Sequence, residues 1–304
     1  MDKVYDMIIV GGGPGGYTAA LYAVRAGLDV LMIERLSAGG QMNLTGQIDN
    51  YPGFPEGVEG FQLSMNMQQQ AERFGAKTHY AEVLKVELAG DIKSVQTNDG
   101  LYQAKTVVIS TGANPRQLGV ARENEMIGRG VGYCAHCDGG FYRGKSVVVV
   151  GGGNSAVAEA LYLSRIAKEV ILVHRRDSLR ATPVYQKSLD EASNIRILWD
   201  SEVVALLGEK VLEGVKVRNR NSGEEQCLNV QGLFVSVGRS PATNLVKDQL
   251  TLDSAGYIMA GENTQTNLPG VYAVGDVRTK ELRQIVTAVA DGAMAAHMAE
   301  GYLA

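Results

Sequence analysis

Met7-Ile8-Ile9-Val10-Gly11-Gly12-Gly13-Pro14-Gly15-Gly16 is the stretch on which the fold turns. Four apolar residues in a row read as a short buried strand, and the glycines after them as a tight turn. Tyr17 to Ala26 continues as a helix that Gly27 stops, and a second apolar run, Val30 to Ile33, ends on Glu34 and Arg35. Strand, glycine turn, helix, strand and acid in that order make a dinucleotide-binding unit. Gly11, Gly13, Pro14 and Gly15 let a backbone approach a pyrophosphate, the helix start offers unpaired N–H groups, and the Glu34 carboxylate can accept a ribose hydroxyl.

The same order recurs. Ser146 to Val150 ends in Gly151-Gly152-Gly153-Asn154-Ser155-Ala156, then come a helix to about Ile166 and a strand from Val170 to Val173. Gly11 to Glu34 is 23 positions, and so is Gly151 to His174. Where the first unit has a carboxylate, the second has His174-Arg175-Arg176, with Arg180 close behind. A carboxylate repels a 2′-phosphate, whereas arginines make charge-assisted bidentate bonds to it. The second site, Gly151, Gly153, Asn154, Ser155, Ala156, His174, Arg175, Arg176 and Arg180, is therefore expected to prefer NADPH over NADH.

Each unit continues into short antiparallel strands, Glu82 to Leu88 with Ser94 to Thr97 in one and Val203 to Leu207 with Gly214 to Arg218 in the other. Each then returns to its sheet, at Thr106 to Ile109 and at Leu233 to Val237. A last strand, Gly270 to Val274, and an alanine-rich helix from Gln284 to Tyr302 complete the first unit if the second is inserted into it. The expectation is an α/β chain of two Rossmann-like, three-layer ββα domains: residues 1–114 with 244–304, and 115–243 between them. Two thin crossings would let one domain turn against the other.

Cys134-Ala135-His136-Cys137-Asp138 carries the second kind of chemistry. Cysteines at this spacing can close a small disulfide ring, and a thiolate there is a nucleophile for exchange. Zinc is the competing reading, but a structural site needs four ligands, and Cys227 with four scattered histidines offers no second pair at ligand spacing. Cys227, beside Leu228, reads as a small packed residue of a strand. Protonated His136 would stabilise thiolates; neutral and solvent-exposed, it would be a spacer.

Composition narrows the class of function. With 45% hydrophobic and 20% charged residues the chain is globular, and its 37 glycines cluster at turns after strands. A net charge of −4 offers no basic field for nucleic acid and no polybasic membrane anchor. Three cysteines, two of them in one motif, argue against a secreted disulfide framework. With no leader-like start and no membrane-length apolar run, the reading is a cytoplasmic enzyme.

As a set, Gly11 to Gly16, Gly39-Gly40-Gln41, Ser110 to Ala113, Cys134 to Asp138, Gly151 to Ala156, His174 to Arg180, Gly275-Asp276 and Arg283-Gln284 resemble the low-molecular-weight bacterial thioredoxin reductases. The resemblance covers essentially the whole chain. It implies a split FAD domain, an inserted NADPH domain carrying the disulfide, a homodimer, and a thioredoxin-like protein as partner. It also implies that Cys137 faces the flavin, that Cys134 attacks the partner disulfide, and that Asp138 gives and takes the proton. FAD contacts are implied at Gly11, Gly13, Pro14, Gly15, Glu34, Arg35, Gly40, Gln41, Thr45, Asn50, Val83, Thr111, Gly112, Gly275, Asp276, Arg283, Gln284 and Ile285. Arg129 and Phe141 match partner-contact positions, while Gly140 stands where relatives often carry a bulkier group.

Other flavoenzymes share the layout. The flavoprotein of alkyl hydroperoxide reductase normally has an additional N-terminal thioredoxin-like part, and this chain begins directly at the FAD strand. An oxygen-dependent dithiol oxidase needs no site for the NADPH phosphate, and the arginines argue against it; a ferredoxin-fed reductase is disfavoured likewise. A nucleotide sensor without turnover would have no use for a dithiol beside an acid.

Overall fold

The computed structural model describes residues 3–44 and 47–304 and divides into two compact units. The chain up to Asn114 and Ser240–Ala304 form one unit, and Pro115–Arg239 form the other. The second crossing lies between Arg239 and Ser240, a little before the expected Thr243 and Asn244.

In the first unit β1 (Val4–Val10) runs through the glycine turn into α1 (Pro14–Arg25) and on to β2 (Val30–Glu34). The two strands pair in parallel, with Met7 beside Val30 and Val10 beside Ile33. Next come α2 (Gly60–Arg73) and β3 (Lys77–Tyr80), the latter parallel to β2. A meander of β4 (Val83–Glu87), β5 (Lys93–Thr97) and β6 (Leu101–Ile109) completes the order β3-β2-β1-β6-β5-β4. Leu101 to Ala104 of β6 pair antiparallel with β5, and Gln103 to Ile109 run parallel beside β1.

Alternation along β1 explains the layers. Met7 and Ile9 face a core shared with Ala19, Ala20 and Ala23 of α1. Ile8 and Val10 face the opposite core, with Val86 of β4 and Val95 of β5. A strand buried on both faces reads as a continuous apolar run, which is what Met7 to Val10 supplies.

The second unit repeats the scheme. After β7 (Val131–Gly132) and the short helix α3 (Ala135–Asp138) come β8 (Ser146–Val150), α4 (Asn154–Ser164), β9 (Glu169–Val173), α5 (Pro183–Asp190) and β10 (Ile195–Leu198). A three-stranded antiparallel sheet of β11 (Ser201–Leu207), β12 (Gly214–Asn219) and β13 (Glu225–Leu228) precedes β14 (Gly232–Val235). The parallel sheet runs β7-β14-β8-β9-β10. Its Val147, Val149 and Leu172 pack against α4, and Val148, Val150 and Ile171 pack against Val215 and Val217 of the small sheet.

One expectation needs correction here. Cys227 lies in β13 beside buried Leu228, yet it is exposed and free. This strand pairs only with β12 in its sheet, so period-two alternation turns Leu228 inward and Cys227 outward.

The chain returns to the first unit as β15 (Val271–Ala273), parallel to β6, and ends in α6 (Ile285–Leu303). α6 lies close against α1: a Cβ at Gly292 would collide with the Gly15 carbonyl oxygen and stand 2.8 Å from Ala19 N. Among the described residues, no helix is long and apolar enough to cross a membrane.

Candidate functional site

The two glycine turns superimpose in their backbone logic. Gly11 has φ +104 and donates to Ile33 O at 2.9 Å; Gly151 has φ +153 and donates to Val173 O at 3.1 Å. A Cβ on either would collide with a backbone carbonyl oxygen, that of Ser110 or of Ser236. Gly15 serves helix packing, since its Cβ would meet Ala288 O at 3.0 Å. Gly13 and Gly153 differ: no atom of the chain lies within 4 Å of a Cβ built there. Both are helix N-caps, of α1 and α4, with no side-chain cap and no acid in the first turn. Packing inside the chain accounts for Gly11, Gly15 and Gly151, whereas Gly13 and Gly153 leave open space in front of unpaired helix N–H groups. That is the fit a pyrophosphate requires.

Glu34 sits at the end of β2 with its carboxylate held in place, Oε2 accepting from Gly12 N at 2.6 Å and Oε1 from Leu36 N at 3.1 Å. An ionised carboxylate has lone pairs left over for a ribose hydroxyl. Arg35 beside it is exposed. The loop at Gly39 and Gly40 folds back over the turn, Gly39 donating to Gly12 O at 2.7 Å, and Gln41 reaches the Ala113 carbonyl through its Nε2. Thr111 Oγ1 donates to Ala242 O at 2.8 Å, and Ala242 N donates back to Gly112 O at 2.9 Å. Asn50 donates to Gln284 Oε1 at 2.9 Å, and Gln284 caps α6, which opens at Ile285, in a box with Thr287. Val83 opens β4. Thr45 lies outside the described residues.

Gly275 and Asp276 form a single helical turn after β15. That turn hangs on Asp291, an acid in the middle of α6 that sequence reasoning passed over. Its Oδ2 accepts from Gly275 N at 2.8 Å, Arg278 Nε at 2.9 Å and Lys280 Nζ at 2.6 Å. Arg278 closes a second bond to Oδ1 at 2.5 Å. All three side chains are largely buried, and burial holds the Lys280 ammonium below its usual range despite the pull of Asp291. The available signal was an acid inside an alanine-rich helix, where only a buried cation would repay it. Arg283 lies over the Tyr257 ring at 3.9 Å and lines an open groove of about 500 Å³. Its Nε is buried without a partner, a further polar atom that a bound group could satisfy.

At the second turn the six-residue spacing from His174 to Arg180 closes on itself. Arg180 N donates to Gly152 O at 2.7 Å, bringing the Arg180 backbone back to the glycine turn. His174, 5% exposed, is turned inward, with Nε2 bonded to Ser178 O at 3.0 Å and its ring edge-on to Trp199. Burial lowers its pKa, the bond to Ser178 opposes this, and Arg176, Arg180 and Arg175 lower it further. A Cβ at Gly152 would collide with it. The three arginines are exposed, as are Asn154 and Ser155, while Ala156 is buried. Asn154 Oδ1 accepts from Thr182 N at 2.8 Å. The structure thus divides the predicted set into an inward strut, His174, and three free-standing guanidinium side chains.

Cys134 and Cys137 are joined in a disulfide with 5.3 Å between their Cα atoms. Cys134 is the N-cap of α3, and its carbonyl accepts from Cys137 N at 3.2 Å and Asp138 N at 3.1 Å. Asp138 is partly buried, and burial pushes its carboxyl up to about 6. Gly132 leaves room for it, since a Cβ there would stand 3.1 Å from Asp138 Oδ2. Tyr133, next to the pair, donates to Glu123 Oε1 at 2.7 Å, and that buried carboxylate also takes the N–H groups of Leu118 and Gly119. Glu123 is a second residue the sequence did not single out. The His136 side chain lies outside the described residues. Phe141 and Arg129 are both exposed, Phe141 at 64%. An acid with a pKa near 6 beside a disulfide can take a proton from a thiol and return it to a leaving sulfur.

With this geometry in hand, the comparisons agree with one another. A family model described as pyridine nucleotide-disulphide oxidoreductase matches residues 5–292. A thioredoxin reductase of Streptomyces clavuligerus is 47% identical over the whole of this chain and 95% of its own length. A bifunctional thioredoxin reductase/thioredoxin of Mycobacterium leprae is 43% identical over all of this chain and 67% of its own. Among solved structures, the thioredoxin reductase of Streptococcus pyogenes superimposes with a TM-score of 0.88 at 45% identity, over 100% of this chain and 99% of its own.

Proposed function

The chain belongs to the pyridine nucleotide-disulphide oxidoreductase family, and from that premise we propose that it is an NADPH-dependent thioredoxin-disulfide reductase. The observation that carries this reading is the Cys134–Cys137 disulfide beside a half-buried acid, in a unit whose own glycine turn is followed by exposed arginines. The first unit would hold FAD, with the α1 N-terminus available to its pyrophosphate and Glu34 to a ribose hydroxyl, while Asp291 fixes the Gly275-Asp276 turn. The second unit would hold NADPH on the α4 N-terminus, where Arg175, Arg176 and Arg180 would take its 2′-phosphate. FAD, when bound, supplies hydride acceptance from NADPH and delivery of the electron pair to sulfur.

The remaining steps belong to the chain's own residues. Reduction opens Cys134–Cys137 to a dithiol. Cys134 then attacks the partner disulfide as a thiolate, forming a mixed disulfide and expelling one partner sulfur, which Asp138 protonates. Cys137 attacks Cys134 Sγ, reforming the pair and releasing the second partner thiol. A carboxyl near 6 is mostly ionised at neutral pH, ready to take the proton before giving it back. The functional assembly is a homodimer, as the family resemblance implies.

The test is an assay of insulin reduction through thioredoxin, run with NADPH, with NADH, and with a peroxiredoxin partner in place of thioredoxin. NADPH should be preferred by roughly 10- to 100-fold, from about 1.5–3 kcal/mol per charge-assisted bond. Equal use of NADH, or turnover only with the peroxiredoxin system, would contradict the proposal.

A further inference from the structure

The arginine turn after β9 is held from the side of the small antiparallel sheet as well as from the glycine turn. Three consecutive carbonyl oxygens in it are bonded: His174 O accepts from Ser201 N at 2.9 Å, Arg175 O from Arg220 Nη1 at 3.1 Å, and Arg176 O from Asp200 N at 3.1 Å. Asp200 makes the tight turn between β10 and β11 with φ +50, a conformation that aspartate tolerates better than most side chains. Its own carbonyl accepts from Arg220 N at 2.6 Å. Arg220, just past the end of β12, is therefore tied by its main chain to one turn and by its side chain to the other. Two of the three donors are main-chain groups, which no substitution of a side chain removes; the Arg220 guanidinium is the third. Glu202 of β11 steadies that guanidinium, with Oε2 3.6 Å from Nε, while its Oε1 accepts from Arg218 Nη2 at 2.8 Å.

We propose that Arg220 is a positioning residue for coenzyme selection, holding the turn through the Arg175 carbonyl in the form in which Arg175, Arg176 and Arg180 can meet a 2′-phosphate together. The proposal rests on the reading of this turn as the site of the NADPH phosphate and deepens it. The three arginine side chains are exposed, so what they present to a phosphate depends on how well the backbone beneath them is fixed. A turn that samples other forms binds with an affinity lowered by the fraction of time it is competent. Arg180 N and Ala181 N, bonded to Gly152 O at 2.7 and 3.2 Å, fix the far end of the turn. Arg220 fixes the near end, at the residue from which the first arginine side chain departs.

The experiment titrates the full chain with 2′,5′-ADP and with 5′-AMP by calorimetry, and follows amide hydrogen exchange at Arg180 and Ala181 without ligand. Arg220→Met keeps the stem and removes the donor. It should weaken 2′,5′-ADP about fivefold, the effect of one hydrogen bond, leave 5′-AMP within about twofold, and quicken exchange at both amides about fivefold. Arg220→Ala gives the same contrast should the methionine variant not fold. Arg218→Met takes an equal charge from the same Glu202 and should leave all three readings within about twofold. An Arg220 variant that binds 2′,5′-ADP as the native chain does overturns the proposal, and so does a loss shared with 5′-AMP or an equal loss in Arg218→Met. A loss with native exchange would put Arg220 on the phosphate itself and overturns it too. The native chain alone tests the underlying reading: if it binds the two ligands alike, that reading fails and the proposal with it. A native chain that discriminates, beside an Arg220 variant that discriminates equally, sinks the proposal only.

Discussion

The turn at Gly11 and the turn at Gly151 share a backbone and part company at the end of the following strand. In the first, Glu34 points back and takes Gly12 N at 2.6 Å. In the second, the His174 ring occupies the equivalent place over Gly152, gives its Nε2 to Ser178 O, and leaves the exposed face to arginines. What has been duplicated is a place rather than a role. On the proposed function the main chain would fix where the ribose of a dinucleotide comes to rest, and the residues at that place would decide which coenzyme it can be. His174 supports the loop from beneath, so the selection falls to side chains on either side of it.

The largest effects should come from breaking what the two turns have in common. Gly11→Ala forces a Cβ against the Ser110 carbonyl and should give protein that no longer retains FAD, read from its absorbance at purification. Gly151→Ala makes the same clash with Ser236 and should leave FAD in place while NADPH titrations lose saturation. If either substitution removes both coenzymes, the units are not independent sites.

Each unit also buries one helical acid, and here the two differ in charge. Asp291→Ala strands Arg278 and Lys280 in the interior and should cost about 3–5 kcal/mol in denaturant unfolding, with loss of FAD. Only the second unit carries the redox pair. Asp138→Asn should lower kcat by roughly 10²-fold or more and erase the inflection expected of the native protein near pH 6. A native pH profile in that variant would remove Asp138 from proton transfer.

Smaller changes sharpen the contrast at the ribose. Arg176→Ala with Arg180→Ala should raise KM for NADPH about 10- to 100-fold and leave KM for NADH nearly unchanged, in steady-state assays with both coenzymes. The last contrast concerns Glu159 of α4, whose carboxyl burial raises from 4.5 unfolded to about 8 folded. The folded state then binds the extra proton, so stability is full below pH 4.5 and is lost as pH rises toward 8. Glu159→Gln escapes this loss. It should equal the native protein at pH 4 and exceed it at pH 9, measured by urea unfolding at both pH values.

Much of this was legible in the sequence because local rules carried it. The runs Met7 to Val10 and Ser146 to Val150 are buried on both faces, so apolar runs marked them as strands, and the glycines after them stand where a side chain would strike a carbonyl. The equal spacing to Glu34 and His174 survives as equal strand register, Val10 beside Ile33 and Val150 beside Val173. What spacing could not convey was direction. His174 was grouped with the arginines, and only the fold turns its ring inward. Cys227 was read as packed because a strand was right but its edge was not. Asp291 acts across a distance of sequence that no local pattern links: it serves Gly275, 16 positions away. The helix α2 also went unread, its apolar positions being few among glutamines.

The central claim is that electrons from NADPH reach Cys134 and Cys137, and thiol counting tests it most directly. The chain has three cysteines, of which Cys227 is exposed and free and the other two are joined. Alkylation of FAD-loaded protein under anaerobic conditions should add one label before NADPH and three after it, with both new labels in the peptide carrying Cys134 and Cys137. A single label on Cys227 in both samples would contradict the account.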